Sequence, residues 1–203
     1  MIYVMSNDSE EIEAKEKEAM GNDPWMETYT GKKFFLGHDL DMDQINIEDI
    51  AHSLALNCRY NGHCSRFYSV AEHSVLISKI VPEEYAKVGL LHDATEAYLS
   101  DIVRPFKRSL GNYVEIENTL YSRIAKKFDI EETIPGIVKF YDVALCRIEG
   151  EDLMTSKAVD WGIPEDGLTR EFFEERTGYS LIPGWDWQLA KINFLKRFHE
   201  LFT

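Results

Sequence analysis

Cysteine is scarce: Cys58, Cys64 and Cys146 are the only three in 203 residues, and none belongs to a C-x-x-C pair. That excludes a small scaffold built on disulfides, leaves reduced thiols as the expectation, and makes a cysteine metal site the lesser reading. Basic residues are also in deficit, with 22 Lys and Arg against 36 Asp and Glu and a net charge of -14. Such a field repels polyanions, so a nucleic-acid polymer is excluded as the main partner. No apolar run approaches the ~20 residues of a membrane span. The N-terminus lacks the basic start and apolar stretch of a secretory signal. The expectation is a cytoplasmic protein with no membrane partner.

What is present suits a folded enzyme-sized domain. Hydrophobic residues make up 44% and aromatics 12% of the chain, enough for one good-sized core. Residues 1–24 are set apart: SNDSEEIEAKEKEAMGND is acidic and offers almost no large apolar side chain to offset the entropy of ordering. We read 1–24 as a mobile arm, with a solvated helix as the alternative, since Glu11–Lys15 and Glu13–Lys17 have the favourable i,i+4 order. Residues 25–203 form the single domain. TYTGKKFFL reads as a short extended segment or hairpin turning at Gly31.

The remainder is predicted to be helical, and the fold class all-α. Apolar spacings near 3.6 place helices over Ile47–Asn57, Val70–Val81, Pro82–Leu99, Tyr113–Phe128, Pro135–Ala158 and Asp186–Phe202. Ser69-Val70-Ala71-Glu72 fits a capping box, and Pro82 and Pro135 suit first-turn positions. Gly and Pro cluster in 162–184, which predicts a partly irregular excursion before the last helix.

One stretch concentrates ionisable groups: Leu90-Leu91-His92-Asp93-Ala94-Thr95-Glu96, where Glu96 follows the His-Asp pair by one helical turn. Burying such groups without partners costs several kcal/mol, and a shared cation is a physical reason to set a neutral imidazole beside carboxylates. By itself the pair could equally be a helix cap or a surface His-Asp contact. His73 and Asp142 alter the odds, because each is polar at a position where the flanking periodicity asks for an apolar residue. Four N and O ligands drawn from three helices would leave coordination positions open on a first-row divalent ion, the layout of a catalytic centre and not of a closed structural one.

The pattern H…HD…D, together with CRYNGHCSRFYSVAEHS and LLHDATEAYLSDIVRPFKR, resembles the HD-domain metal-dependent phosphohydrolases, in particular bacterial 5′-deoxynucleotidases and phage deoxynucleoside triphosphohydrolases. The similarity spans Thr28 to Met154, and the N-terminal arm has no counterpart. It implies a helical bundle of about six helices around a divalent ion held by His73, His92, Asp93 and Asp142, the ion being Mn, Co, Zn, Fe or Mg. Glu96 matches the position that handles the attacking water, although a carboxylate orienting a metal-bound His is the competing reading. Asp101 matches an acidic position beside the leaving 5′-oxygen and could as well be a helix-end loop residue. Arg59 matches a phosphate-reaching arginine, and His63 ends the same loop with a suitable donor. Arg104, Lys107 and Arg108 form a basic cluster in an acidic chain, which reads as a phosphate clamp. Tyr141-Asp142-Val143 departs from the Ala-Asp that relatives commonly carry.

The activity this implies is hydrolysis of the 5′-phosphate ester of a small-molecule deoxynucleotide, most simply a monophosphate giving nucleoside and phosphate. The alternatives are a triphosphohydrolase cutting the same bond, and a nucleotide sensor with little turnover. Homodimerisation follows from the family analogy alone, as does a bacterial or phage-infected host cell. Lys32, Lys33 and Arg66 are further candidates for charge beyond the α-phosphate, and Tyr60, Phe67, Tyr68 and Trp25 for stacking on a base. His38, His52 and His199 read as structural or surface residues.

Overall fold

The computed structural model describes residues 25–36, 41–107, 109–159, 161–163 and 167–203. The expected arm over 1–24, His38 and Arg108 lie outside them. The protein is all-α, with one two-stranded hairpin: β1 (Trp25–Glu27) pairs antiparallel with β2 (Lys33–Phe35) in the register Trp25 to Phe35. Gly31 stands in the connecting turn at φ +78°, a backbone region that glycine enters without strain.

The helices are α1 (Ile47–Leu56), α2 (Val70–Ile80), α3 (Ala86–Leu91), α4 (Glu96–Leu99), α5 (Arg104–Lys107), α6 (Tyr113–Phe128), α7 (Gly136–Leu153), α8 (Arg170–Thr177) and α9 (Trp187–Phe202). Several begin where side chains supply the missing acceptors. Asn46 takes the Glu48 amide at the start of α1, and Asp186 takes the Leu189 amide at the start of α9. The capping box before α2 is only half formed. Ser69 Oγ accepts from the Glu72 amide at 3.1 Å, but the Glu72 carboxylate turns away to accept from the amides of Gly184 at 2.6 Å and Trp185 at 2.8 Å. Pro82 and Pro135 precede their helices at the cap, one residue earlier than expected.

Two apolar clusters share α2. Ile50, Leu54, Val75, Leu90, Leu91 and Phe194 build one, and Leu76, Ile77, Val138, Leu145 and Phe173 build the other. Each such fully buried aliphatic side chain contributes roughly 1.5–3 kcal/mol by leaving water. Because α2 lies between the clusters, every one of its residues except Lys79 is buried. A polar group on this helix has no water to turn to, so it must find partners inside the protein.

Two expectations need correction. The stretch Pro82–Leu99 is not one helix: it opens with a 3-10 turn at Glu83–Tyr85 and is interrupted over 92–95, where bonds tighten to the i→i+3 pattern. The ring of His92 supplies the reason. Its Nδ1 takes the Gly89 carbonyl at 2.8 Å, the acceptor that a continuing α-helix would give to the Asp93 amide. The helix expected over Pro135–Ala158 stops at Leu153, and Lys157 and Ala158 adopt left-handed conformations beyond it. The partly irregular excursion expected over 162–184 is present among the described residues and includes a helix, α8, capped by Thr169 and closed by Gly178 at φ +81°.

At Gly89 the chain passes close to α2: a Cβ there would sit 3.1 Å from Val81 Cγ2 and 3.2 Å from Ser78 Cα. This close approach brings the helix that carries His73 beside the segment that carries His92.

Candidate metal centre

His73 enters from the middle of α2, His92 and Asp93 from the break after α3, and Asp142 from the second turn of α7. Their ligand atoms converge. His73 Nε2 lies 3.3 Å from His92 Nε2, 3.2 Å from Asp142 Oδ1 and 3.7 Å from Asp93 Oδ2. His92 Nε2 lies 3.2 Å from Asp93 Oδ2 and 4.0 Å from Asp142 Oδ1. Around an ion with bonds of about 2.1 Å, neighbouring ligand atoms stand roughly 3.0–3.5 Å apart, which these spacings approach. His73, His92 and Asp93 form a group that could hold a metal ion.

The hydrogen bonds behind the rings fix their tautomers. His73 Nδ1 faces Glu149 Oε1 at 2.6 Å, and a carboxylate can only accept, so Nδ1 carries the proton. His92 Nδ1 faces the Gly89 carbonyl, which also only accepts. Both rings thus turn Nε2 toward the same point, beside two carboxylate oxygens, where it would offer a lone pair once free of a proton. With Nε2 unprotonated, a cation there would relieve the repulsion among these electron pairs, and His73, His92 and Asp93 could hold one. The donor set of two imidazoles and carboxylate oxygen suits a first-row divalent ion such as Zn, Mn, Fe or Co.

Electrostatics express the same demand. Burial and Arg59 push the His73 imidazole down, but Glu149 and Asp142 outweigh them and bring it up to about 9, so a proton serves as the cation when nothing else does. Burial would raise Asp93, yet His92, His73 and Arg59 hold it well below the usual carboxylate range.

Glu149, fully buried on α7, was missed by the sequence reading. It accepts from His73 Nδ1, from Tyr68 Oη at 2.7 Å and from the Tyr60 hydroxyl, and Arg59 Nη2 lies 3.5 Å from its Oε2. Burial opposes its charge, but Arg59, His73 and Tyr60 keep it ionised. The available signal was its spacing: Glu149 follows Asp142 by seven residues, two turns along one face, between Ile148 and Gly150.

A cleft of about 580 Å³ opens over the centre, lined by Asp93, Asp142, Glu96, Asp101, Arg59, Arg104 and Lys107 among others. Glu96 is buried, and its Oε2 has no hydrogen-bond partner among the described residues. Burial, then Asp93 and Asp101, push its carboxyl well above the ordinary value, and burial likewise raises Asp101. Lys107 Nζ reaches Glu117 Oε1 at 2.7 Å and Glu96 Oε1 at 3.9 Å. Arg104, largely exposed, places Nη2 3.1 Å from Asp142 Oδ2. Arg59 is held inside, with Nη1 3.4 Å from Asp93 Oδ2.

His63 does not join them. Tyr60 and Asn61 adopt left-handed conformations in the turn after Cys58, which sends Arg59 and Tyr60 inward and leaves His63 exposed at the turn's end. Lys32, Lys33 and Arg66 also stand elsewhere: Lys32 on the Asp43 carbonyl, Lys33 over the Trp25 ring, and Arg66 on the Ile182 carbonyl. Of the proposed stacking aromatics, only Tyr60 lines the cleft, while Tyr68 is spent on Glu149. His52 stacks on Tyr29 at 3.7 Å in a separate hollow.

Fold and site define a helical protein with a buried two-histidine, carboxylate candidate metal centre under an open cleft. The chain is 37% identical over 177 residues to uncharacterized protein YfdR of Escherichia coli (strain K12), covering 87% of this chain and 95% of that one. It is 34% identical over 143 residues to uncharacterized protein RCAP_rcc00048 of Rhodobacter capsulatus, covering 64% of this chain and 72% of that one. The chain belongs to the YfdR family. No family model matches it. Among the described residues, no helix is long and apolar enough to cross a membrane.

Proposed function

We propose that this protein is an HD-domain phosphohydrolase that cuts the 5′-phosphate ester of a deoxynucleotide, with a monophosphate as its preferred substrate. The observation that carries the reading is the convergence of two imidazole Nε2 atoms with Asp93 and Asp142 oxygens beneath a cleft that holds the carboxyl groups of Glu96 and Asp101 and three cationic side chains.

His73, His92, Asp93 and Asp142 would hold the divalent ion. Once bound, that ion supplies positive charge to phosphate oxygens and acidifies a water. Arg104 and Lys107 bind and orient the phosphate from the cleft wall. Glu96, in its ionised form, takes a proton from the attacking water as the new O–P bond forms, and its buried setting strengthens it as a base. Asp101, raised in the same way, gives a proton to the 5′-oxygen as the P–O5′ bond breaks. Nucleoside and phosphate leave, and solvent restores both acids.

Charge supply favours the monophosphate over the triphosphate. Among the described residues that line the cleft, the cations are Arg59, Arg104 and Lys107, each already facing a carboxylate, and Lys32, Lys33 and Arg66 are engaged elsewhere. The test is incubation of metal-loaded protein with dNMPs, dNTPs and rNMPs, with Asp93→Ala and Glu96→Ala in parallel. Nucleoside plus phosphate from dNMPs supports the proposal. Nucleoside plus triphosphate from dNTPs would assign the alternative activity, and no metal-dependent product would leave a nucleotide sensor.

A further inference from the structure

Beyond Leu153 the chain leaves α7 and folds back over its own last turns, a strap that delivers Trp161 to the cleft. The strap is costly in conformation: Lys157 and Ala158 are consecutive L residues at φ 52° and 57°. It is seated by an absence on α7, because a Cβ at Gly150 would run into Ala158 Cβ and lie 3.3 Å from Trp161 Cζ3. Backbone bonds from Lys157 to Met154 and from Trp161 to Ala158 close the turn, and Lys157 Nζ donates to the Glu151 carbonyl.

The strap's product is an aromatic corner. The Trp161 ring stands 5.6 Å from that of Tyr60, tilted by 40°, and is 36% exposed at the cleft. Tyr60 cannot swing, since its hydroxyl is given to Glu149. Gly162 and Ile163 line the same cleft, as do Arg104 and Lys107 of α5. A half-exposed indole held by a strained turn, in a cleft that also presents Arg104 and Lys107, matches a phosphate ester that carries a planar ring.

We propose that Trp161 is the stacking platform for the nucleobase and determines specificity by ring area; this rests on the nucleotide reading above. The described side chains of this wall offer little hydrogen-bonding capacity to read a base edge: Tyr60 is committed, Gly162 and Ile163 have none, and only the indole N–H of Trp161 is polar. Selection is therefore by stacking area, purine ahead of pyrimidine, with weak discrimination inside each class.

The test compares dAMP, dCMP and base-free 2-deoxyribose 5-phosphate on metal-loaded wild type, Trp161→Ala and Trp161→Phe. Trp161→Ala should raise KM for dAMP about tenfold more than for the base-free ester, and Trp161→Phe should recover most of the loss. An equal rise for the base-free ester, or no rise for dAMP, overturns the assignment. Quenching of indole fluorescence by dAMP that is present in wild type and lost in Trp161→Phe separates this inference from the hydrolase reading. Quenching without turnover keeps the platform and removes the hydrolase, and absence of both removes the platform.

Discussion

The two sides of the metal centre are built differently. On the inner side, His73, Glu149, Tyr68 and Arg59 are buried and each polar atom of the Glu149 carboxylate is held by donors. On the outer side, Asp142 and Glu96 face a cleft through Arg104 and Lys107, one largely exposed and the other part-buried. The inner side fixes geometry and tolerates no loss of a partner. Among the described residues both sides leave some polar capacity unspent, Arg59 Nε inside and Glu96 Oε2 outside, but only the outer carboxylate does so, whereas both Glu149 oxygens are held. Rigid support behind an accessible reacting face is what preorganised catalysis requires.

The sharpest way to break the contrast is Glu149→Ala. It strips His73, Tyr68, Tyr60 and Arg59 of a common acceptor, and loss of one partner from a buried charge network costs about 3–5 kcal/mol. Urea unfolding of the metal-free protein should show that loss, and a change below about 1 kcal/mol would mean the inner side is not the rigid one.

Asp93→Ala comes next and should act on the ion more than on the fold. Partners behind metal ligands are worth about 10–100-fold in affinity, so removal of a ligand should cost at least about 100-fold. Titration calorimetry with Mn²⁺ or Zn²⁺, alongside an unchanged circular-dichroism spectrum, checks this.

Proton competition gives a third, smaller effect. A cation must displace the proton held by His73, so affinity should rise about tenfold per pH unit until pH reaches about 9. Stability of the metal-free chain runs the other way. The folded value of His73 lies above its ordinary 6.5, so its contribution is complete below about 6.5 and is lost as pH rises through about 9. Calorimetry at three pH values and thermal melts of the stripped protein test both signs.

Arg104→Ala should be the mildest for the fold. The pair with Asp142 is exposed on the arginine side, and such pairs are worth about 0–1 kcal/mol. If the proposed hydrolysis holds, turnover of the deoxynucleotide should nevertheless fall, and an unchanged kcat/KM would remove Arg104 from phosphate binding.

Much of this was legible in the sequence. The helix positions followed apolar spacing, and His73, His92, Asp93 and Asp142 were singled out as polar residues in apolar surroundings, which the structure brings within 4.0 Å of a neighbour in the group. What could not be read depended on tertiary partners. The break at His92 arises from a ring taking a backbone carbonyl, and propensity carries no trace of it. Glu149 looks like any glutamate of a helix until Tyr68 and His73, more than seventy residues earlier, are folded against it. Trp161 falls between the helix expected to end at Ala158 and the irregular stretch expected over 162–184, so neither signal placed it, and the exposure of His63 follows from two left-handed residues that redirect the turn.

One missing methyl group carries a last consequence. The approach of α3 to α2 at Gly89 sets the gap between two rings whose nitrogens stand 3.3 Å apart. Gly89 binds no ion, yet it acts as a calliper for ionic radius. Gly89→Ala would press on Val81 and Ser78 and widen that gap, so if the candidate centre holds an ion, its preference for ionic size would be written partly in the distance between two helices.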